Sequence, residues 1–223
     1  MEKIITIDGP AGAGKSTVAK ITAESLGWVY ITTGAVYRTL ALLLKEMNLQ
    51  QSEHSYERLF GFLYERYRQD PRSSKVLIGE RDITNDIKTP EISERASIIA
   101  KDPMIRDGLL PLQRKIVLEQ HGAIVDGRDM GTVVFPSAPL KIFLTASPEI
   151  RAERRFLEFK HGSFQKTTIE DLKKEIFERD QRDQEREFSP LKPADDSIII
   201  DSTDKTAEEI RDIILEKAKK IFF

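Results

Sequence analysis

Cysteine is absent from the 223 residues, which excludes a disulfide, a thiol nucleophile and a thiolate metal site. Histidine is scarce: the 3 present, His54, His121 and His161, are too scattered for a metal centre built on imidazoles. Long apolar runs are missing too. The longest, Leu40 to Leu44, is far short of the ~20 residues that a helix needs to cross a bilayer. Nor does one charge prevail, since 35 Lys and Arg face 37 Asp and Glu, a net charge of −2. Such a balance offers no general footprint for nucleic acid, so any polyanion has to be met locally. Met1-Glu2-Lys3 leads directly into a strand, with no basic and apolar signal segment before it. The expectation is a soluble, cytoplasmic monomer without membrane or nucleic-acid partners.

What is present points to one α/β domain with a modest insertion or lid. Hydrophobic residues make up 39% of the chain, enough for a single core. Ile4 to Ile7 reads as a buried strand closed by Asp8, followed by a helical pattern to about Ser25. Trp28 to Ile31 reads as a second strand, and Gly34 to Met47 as the helix after it. Residues 63–87 alternate like short strands, punctuated at Asp70-Pro71 and Gly79-Glu80, and predict a small antiparallel insert. Two helices are expected between Pro90 and Gln120, divided at Asp102-Pro103, then strands at Ala123–Asp126 and Leu140–Leu144. A charge-rich helical region from Pro148 to Arg186 precedes a last strand, Ser197–Asp201, and a last helix, Thr206–Ile221. Alternating strands and helices favour a parallel sheet covered on both faces.

The strongest signal is Gly9-Pro10-Ala11-Gly12-Ala13-Gly14-Lys15-Ser16, continuing into Thr17. It has the full spacing of a nucleotide phosphate loop, with a strand before it and a helix after it. Small residues let the backbone wrap a triphosphate, and the helix N-terminus adds its positive end. Lys15 is placed to neutralise the β- and γ-phosphates, and the Ser16 hydroxyl to ligate Mg²⁺. The guanine-reading Asn-Lys-x-Asp segment of a GTPase is missing, and the chain is short for a motor ATPase. A small-molecule kinase is therefore favoured over a switch.

Two further segments bear on the acceptor. Thr32-Thr33-Gly34-Ala35-Val36-Tyr37-Arg38 opens a helix at the end of the second strand. Arg38 there is either an exposed helix-start residue or a planar donor for an acceptor phosphate; local sequence leaves both open. Asp126-Gly127-Arg128-Asp129 follows a strand at the edge where open α/β sheets bind ligands. Asp126 is a candidate Mg²⁺ ligand, directly or through water, and Arg128 a second candidate for the acceptor phosphate. Asp129 suits an exocyclic amine, the contact by which carboxylates read cytosine N4. Arg179, Arg182, Asp183 and Arg186 fall on one helical stripe suited to a phosphate lid. Periodicity alone favours a plain solvated face instead, since Glu175 with Arg179 and Glu178 with Arg182 are ordinary i,i+4 pairs.

Taken together, Ile7 to Ser16, Thr33 to Arg38, Asp126 to Pro136, Glu178-Arg179-Asp180 and Arg182-Asp183 resemble the bacterial-type cytidylate (CMP/dCMP) kinases. The resemblance spans nearly the whole chain in order, and Asp126 to Pro136 is its most specific part. It implies a P-loop kinase fold with a five-stranded parallel sheet flanked by helices. It also implies a small antiparallel insert in the monophosphate-binding region, and a helical lid. The implied division is a core of 1–32, 121–147 and 188–223, a monophosphate-binding region of 33–120, and a lid of 148–187. The implied reaction moves the γ-phosphoryl of MgATP to CMP or dCMP. By resemblance, Thr33, Arg106, Asp129 and Arg186 form the cytosine pocket. Ser97, Arg179 and Asp183 contact the ribose, Tyr37 and Arg38 lie in the acceptor site, and Arg38 and Arg128 hold the acceptor phosphate. Arg151, Arg154 and Arg155 are lid cations, and Lys15, Arg128, Arg179 and Arg182 carry catalysis. Thr32 departs from the family's usual Asp, and Thr33 adds a methyl where some members have Ser; both sit at the pocket edge.

Overall fold

Ile4, Ile5 and Ile7 are buried side by side, as a strand covered on both faces requires. They belong to β1 (Ile4–Asp8) in a computed structural model that describes residues 2–47, 53–70, 73, 75–160 and 168–223. The chain continues through α1 (Lys15–Leu26), β2 (Val29–Thr32), α2 (Gly34–Glu46), α3 (Glu53–Arg66), β3 (Tyr67–Gln69), β4 (Val76–Ile78) and β5 (Arg81–Asp82). It then forms α4 (Pro90–Ile99), α5 (Pro103–Leu118), β6 (Ala123–Gly127), β7 (Leu140–Thr145), α6 (Pro148–Lys160), α7 (Ile169–Gln184), β8 (Ile198–Asp201) and α8 (Ala207–Phe222).

Five strands form a parallel sheet in the order β2-β6-β1-β7-β8. Alternate side chains divide the core between its faces. Ile4, Ile31, Ala123 and Val125 pack with α2, α4 and α5, while Ile5, Ile7, Ile124 and Ile142 pack with α1 and α8. The register sets Ile7 beside Asp126 and Asp8 beside Gly127, with Thr32 on the other side of Asp126. Three sequence segments that looked unrelated thus end at one carboxyl edge.

Local chemistry starts the helices. Thr89 and Asp102 cap α4 and α5 with side-chain oxygens, each followed by a proline whose missing N–H costs nothing at that position. Thr168 with Asp171 and Thr206 with Glu209 form capping boxes for α7 and α8.

The expected antiparallel insert is present but begins later. β3, β4 and β5 pair antiparallel and turn at Gly79, whose φ is +59°. Residues 63–66 instead end α3, a helix the strand-like alternation hid. Tyr56, Leu59 and Leu63 recur at helical spacing and are buried on one face, which decides the matter. Pro71 of the expected turn lies outside the described residues. The stripe of four charged residues also needs correction. α7 ends at Gln184, so Arg186 lies beyond the helix, its Nε donating to the Asp183 carbonyl at 3.2 Å. A π-helical turn at Met130–Val134 had no signal in the sequence.

Candidate active site

The loop between β1 and α1 takes a shape only glycine permits at two points. Gly9 has φ +147°, and a Cβ there would stand 1.9 Å from the Leu144 carbonyl oxygen. Gly12, at φ +77°, would meet both the backbone oxygen and Cβ of Arg151 at 2.9 Å. α1 then begins without a side-chain cap, leaving its first amides to an incoming anion. Ala11, Gly12, Gly14, Lys15, Ser16 and Thr17 line a cleft of about 380 Å³. Gly9, Pro10 and Ala13 are not among the lining residues; Pro10 O accepts from Lys15 Nζ at 2.6 Å, and Ala13 O accepts from Ser202 Oγ at 3.1 Å.

Lys15 is buried, and that burial, with Arg128 nearby, holds its ammonium well below its ordinary pKa. Ser16 Oγ donates to Asp126 Oδ2 at 2.7 Å, while the buried Asp126 Oδ1 has no hydrogen-bond partner. A hydroxyl and a carboxylate of this kind fit a hard divalent cation that takes its other ligands from phosphate and water. No group of three or more acidic or imidazole side chains able to hold a metal occurs among the described residues.

A set of arginines lines the same cleft as the loop. Arg38 springs from the first turn of α2 and folds back toward its start, with Nη1 3.2 Å from where a Cβ on Gly34 would be. Its Nε is buried without a partner. Arg128 donates from Nε to Asp183 Oδ2 at 2.9 Å, tying the end of β6 to α7. Arg106 is paired with Asp129, donates to the Ala100 carbonyl at 3.1 Å, and lies 5.6 Å from the Tyr37 ring centre. Thr33 Oγ1 donates to the Asp126 carbonyl at 3.0 Å.

Burial depresses Arg38, Arg179 and Arg186, and the charge of Arg128 adds to the effect; Arg179 falls to about 10. Burial would raise Asp183, but Arg128, Arg186 and Arg179 together hold it below the usual carboxylate range. The cleft is thus a partly desolvated concentration of positive charge.

Not every expected residue reaches it. Arg151 is buried in an ion pair with Asp180 and also donates to the Ala11 and Ala146 carbonyls at 3.1 Å. It braces the phosphate loop from behind. Arg154 is bound to Ser202, through Oγ at 2.9 Å and the carbonyl at 2.7 Å. Arg155 does line the cleft. Arg182 lines a separate depression between α4 and α7 and donates to the Glu178 carbonyl at 3.2 Å. The i,i+3 spacing that grouped it with Arg179 takes no account of which way each side chain leaves the helix.

Sequence reasoning passed over Asp8, Tyr30 and Asp180. Asp8 closes an apolar strand just before the loop, a position that was itself a signal. Tyr30 also lines the cleft, while Asp180 accepts from the Ala11 amide at 3.4 Å; local sequence assigned neither a role.

Among the described residues, six of the nine buried side-chain polar atoms without a hydrogen-bond partner lie on residues of this one cleft: Arg38, Ser97, Arg106, Asp126, Arg179 and Arg186. Buried donors are rarely left unpaired, and unpaired guanidinium nitrogens suit a polar, anionic ligand. The cytidylate kinase family model matches residues 5–220. The chain belongs to the cytidylate kinase family. The cytidylate kinase of Bacillus cereus strain ATCC 10987 is 42% identical over 220 residues, covering 98% of this chain and 96% of that protein. That of Bacillus cytotoxicus is 43% identical over 207 residues, covering 92% and 91%. A shikimate kinase structure from Bacteroides thetaiotaomicron aligns with TM-score 0.49 at 11% identity, over 97% of this chain and 98% of that one, a likeness that carries no argument. As a cytidylate kinase family member this chain is a nucleotide phosphotransferase with a P-loop kinase fold, and such kinases use ATP with a divalent metal.

Proposed function

We propose that this enzyme transfers the γ-phosphoryl group of MgATP to CMP or dCMP, yielding ADP and CDP or dCDP. The observation that carries the reading is that Arg38, Arg106, Arg179 and Arg186, each with a buried unpartnered guanidinium nitrogen, line the same cleft as the glycine loop. Two polyanions have to be brought together for in-line transfer, and only a cation-lined cleft offsets their repulsion.

In this reading the amides of Ala11 to Thr17 and the Lys15 ammonium hold the triphosphate. Lys15 leaves the Pro10 carbonyl for a phosphate oxygen, whose negative charge stabilises the ammonium. Ser16 and Asp126 hold the Mg²⁺, which screens the phosphate charges when bound. Arg38 and Arg128 orient the acceptor phosphate, whose oxygen attacks the γ-phosphorus as the bond to the β-phosphate oxygen breaks. Arg179 and Arg155 face the charge in transit. No covalent enzyme intermediate and no strong base is required, because an acceptor phosphate is already an anion.

The base is read by the buried pair Arg106–Asp129, with Thr33 and Arg186 nearby. Cytosine offers an N4 donor where uracil offers an O4 acceptor, so the carboxylate attracts one and repels the other. Ser97 and Asp183 line the ribose position. In the same reading the chain divides into a core of 1–32, 121–147 and 188–223, a monophosphate-binding region of 33–120 and a lid of 148–187, whose helices would close over the phosphates to exclude water. Its substrates are small nucleotides, and no described helix is long and apolar enough to cross a membrane.

ADP release with ATP and Mg²⁺ against CMP, dCMP, UMP, AMP and no acceptor tests the reading. Turnover that rises only with CMP and dCMP is expected. Turnover indifferent to the acceptor would mark a nucleotide switch, and a response to AMP alone a different kinase.

A further inference from the structure

Asp8 closes β1 immediately before Gly9, and its side chain is 4% exposed. Each carboxylate oxygen accepts a backbone N–H. Oδ1 takes that of Met130 and Oδ2 that of Gly131, both at 2.8 Å. These are the two amides that follow Asp129. The Asp129 carbonyl in turn accepts from Val133 at 2.9 Å and Val134 at 3.1 Å, opening the π-helical turn. π turns are short-lived in sequence and collect at functional sites, where they re-aim a side chain.

An ionised carboxylate is the side chain that accepts two amides without presenting a donor of its own. Keeping one here is costly. Burial pushes Asp8 up to about 7, against the pull of the two amides, with Asp129 raising it further and Lys15 opposing. A merely structural turn would be served by a neutral acceptor.

We infer that Asp8 is the positioning residue of the base-selecting carboxylate: by taking both amides it fixes where Asp129 stands against Arg106 and the cytosine edge. This rests on the assignment of Asp129 given above. Asp8 touches neither nucleotide in this role; it acts through the turn.

The experiment is Asp8→Asn, an isostere whose NH₂ faces one of the two amides and loses that bond. The KM for CMP is expected to rise about tenfold, the size of one lost buried hydrogen bond, and the preference for CMP over UMP to narrow alike. The KM for ATP should stay within about twofold. A lower Tm with an unchanged CMP to UMP ratio would overturn the inference, as would parallel losses for CMP and ATP. Should the variant not fold, amide exchange on the wild type decides: Met130 and Gly131 are expected to exchange slowly without ligand, and rapid exchange would overturn the strap. Failure of the wild type to phosphorylate CMP would instead count against the proposed function, leaving the two failures distinct.

Discussion

Ser16 and Asp126 stand 110 positions apart in sequence, yet the Ser16 hydroxyl donates to the Asp126 carboxylate at 2.7 Å, leaving the second, buried oxygen without a partner. One residue opens α1 and the other lies in β6, next to β1 in the sheet. The pair joins the helix that receives the triphosphate to the strand whose loop carries Arg128 and Asp129.

That pairing has a measurable consequence for the metal. Asp126→Asn should raise the Mg²⁺ concentration needed for half-maximal turnover by about tenfold or more, and Ser16→Ala by a smaller factor. The double variant should lose less than the product of the two, because the residues act as a unit. A Mg²⁺ titration of all four proteins reads this, and full additivity would count against a shared site.

Lys15 is expected to separate catalysis from stability. Its ammonium is buried, its pKa is depressed, and its hydrogen bond is to a single carbonyl. Lys15→Met should lower kcat by at least about two orders of magnitude. It should leave the ligand-free Tm equal or higher, since the folded state no longer has to bury that charge. Near-normal turnover would remove Lys15 from the phosphate site.

At Asp129 the expected effect falls on selectivity. Asp129→Ala should cost CMP turnover roughly tenfold to hundredfold, with a much smaller loss for UMP, because a cytosine amine would be left unpaired. It also strands the Arg106 guanidinium, so some stability is lost as well. Comparing kcat/KM for the two acceptors isolates the first effect, and equal losses would discard the base-reading role.

Asp8 makes stability depend on pH in an unusual direction. Its folded pKa of about 7 lies above the ordinary 3.8, so the proton is held more tightly in the folded state. The stabilising contribution is full below about pH 4 and is lost as pH rises through 7. Relative to Asp8→Asn, the wild type should lose on the order of 4 kcal/mol of unfolding free energy between pH 4 and pH 7.5, from 1.36 kcal/mol per unit. Urea unfolding of both proteins at several pH values measures the difference, and a flat difference would refute it.

Much of this was legible in the sequence because it is local. The strands of the large sheet, the helices capped at Thr89, Asp102 and Thr206, and the glycine loop each declare themselves within about ten residues. The motif residues Lys15, Ser16, Arg38, Asp126, Arg128 and Asp129 could be placed at the strand ends and helix starts where they lie, because a strand followed by a helix leaves few positions for them. α3 was hidden because its buried positions Tyr56, Leu59 and Leu63 matter only once α5 covers them.

By itself, then, the amino-acid order determined the architecture and the candidate phosphate chemistry, since hydrophobic period, caps and glycine spacing are properties of neighbours along the chain. Tertiary structure alone decided which arginines face the cleft. Arg38, Arg106 and Arg179 line it, Arg151 is drawn into a buried pair with Asp180, and Arg182 lines the depression beside α4. A guanidinium goes where partners distant in sequence leave an unpaired acceptor or an unscreened charge, and that becomes defined only when the helices have packed.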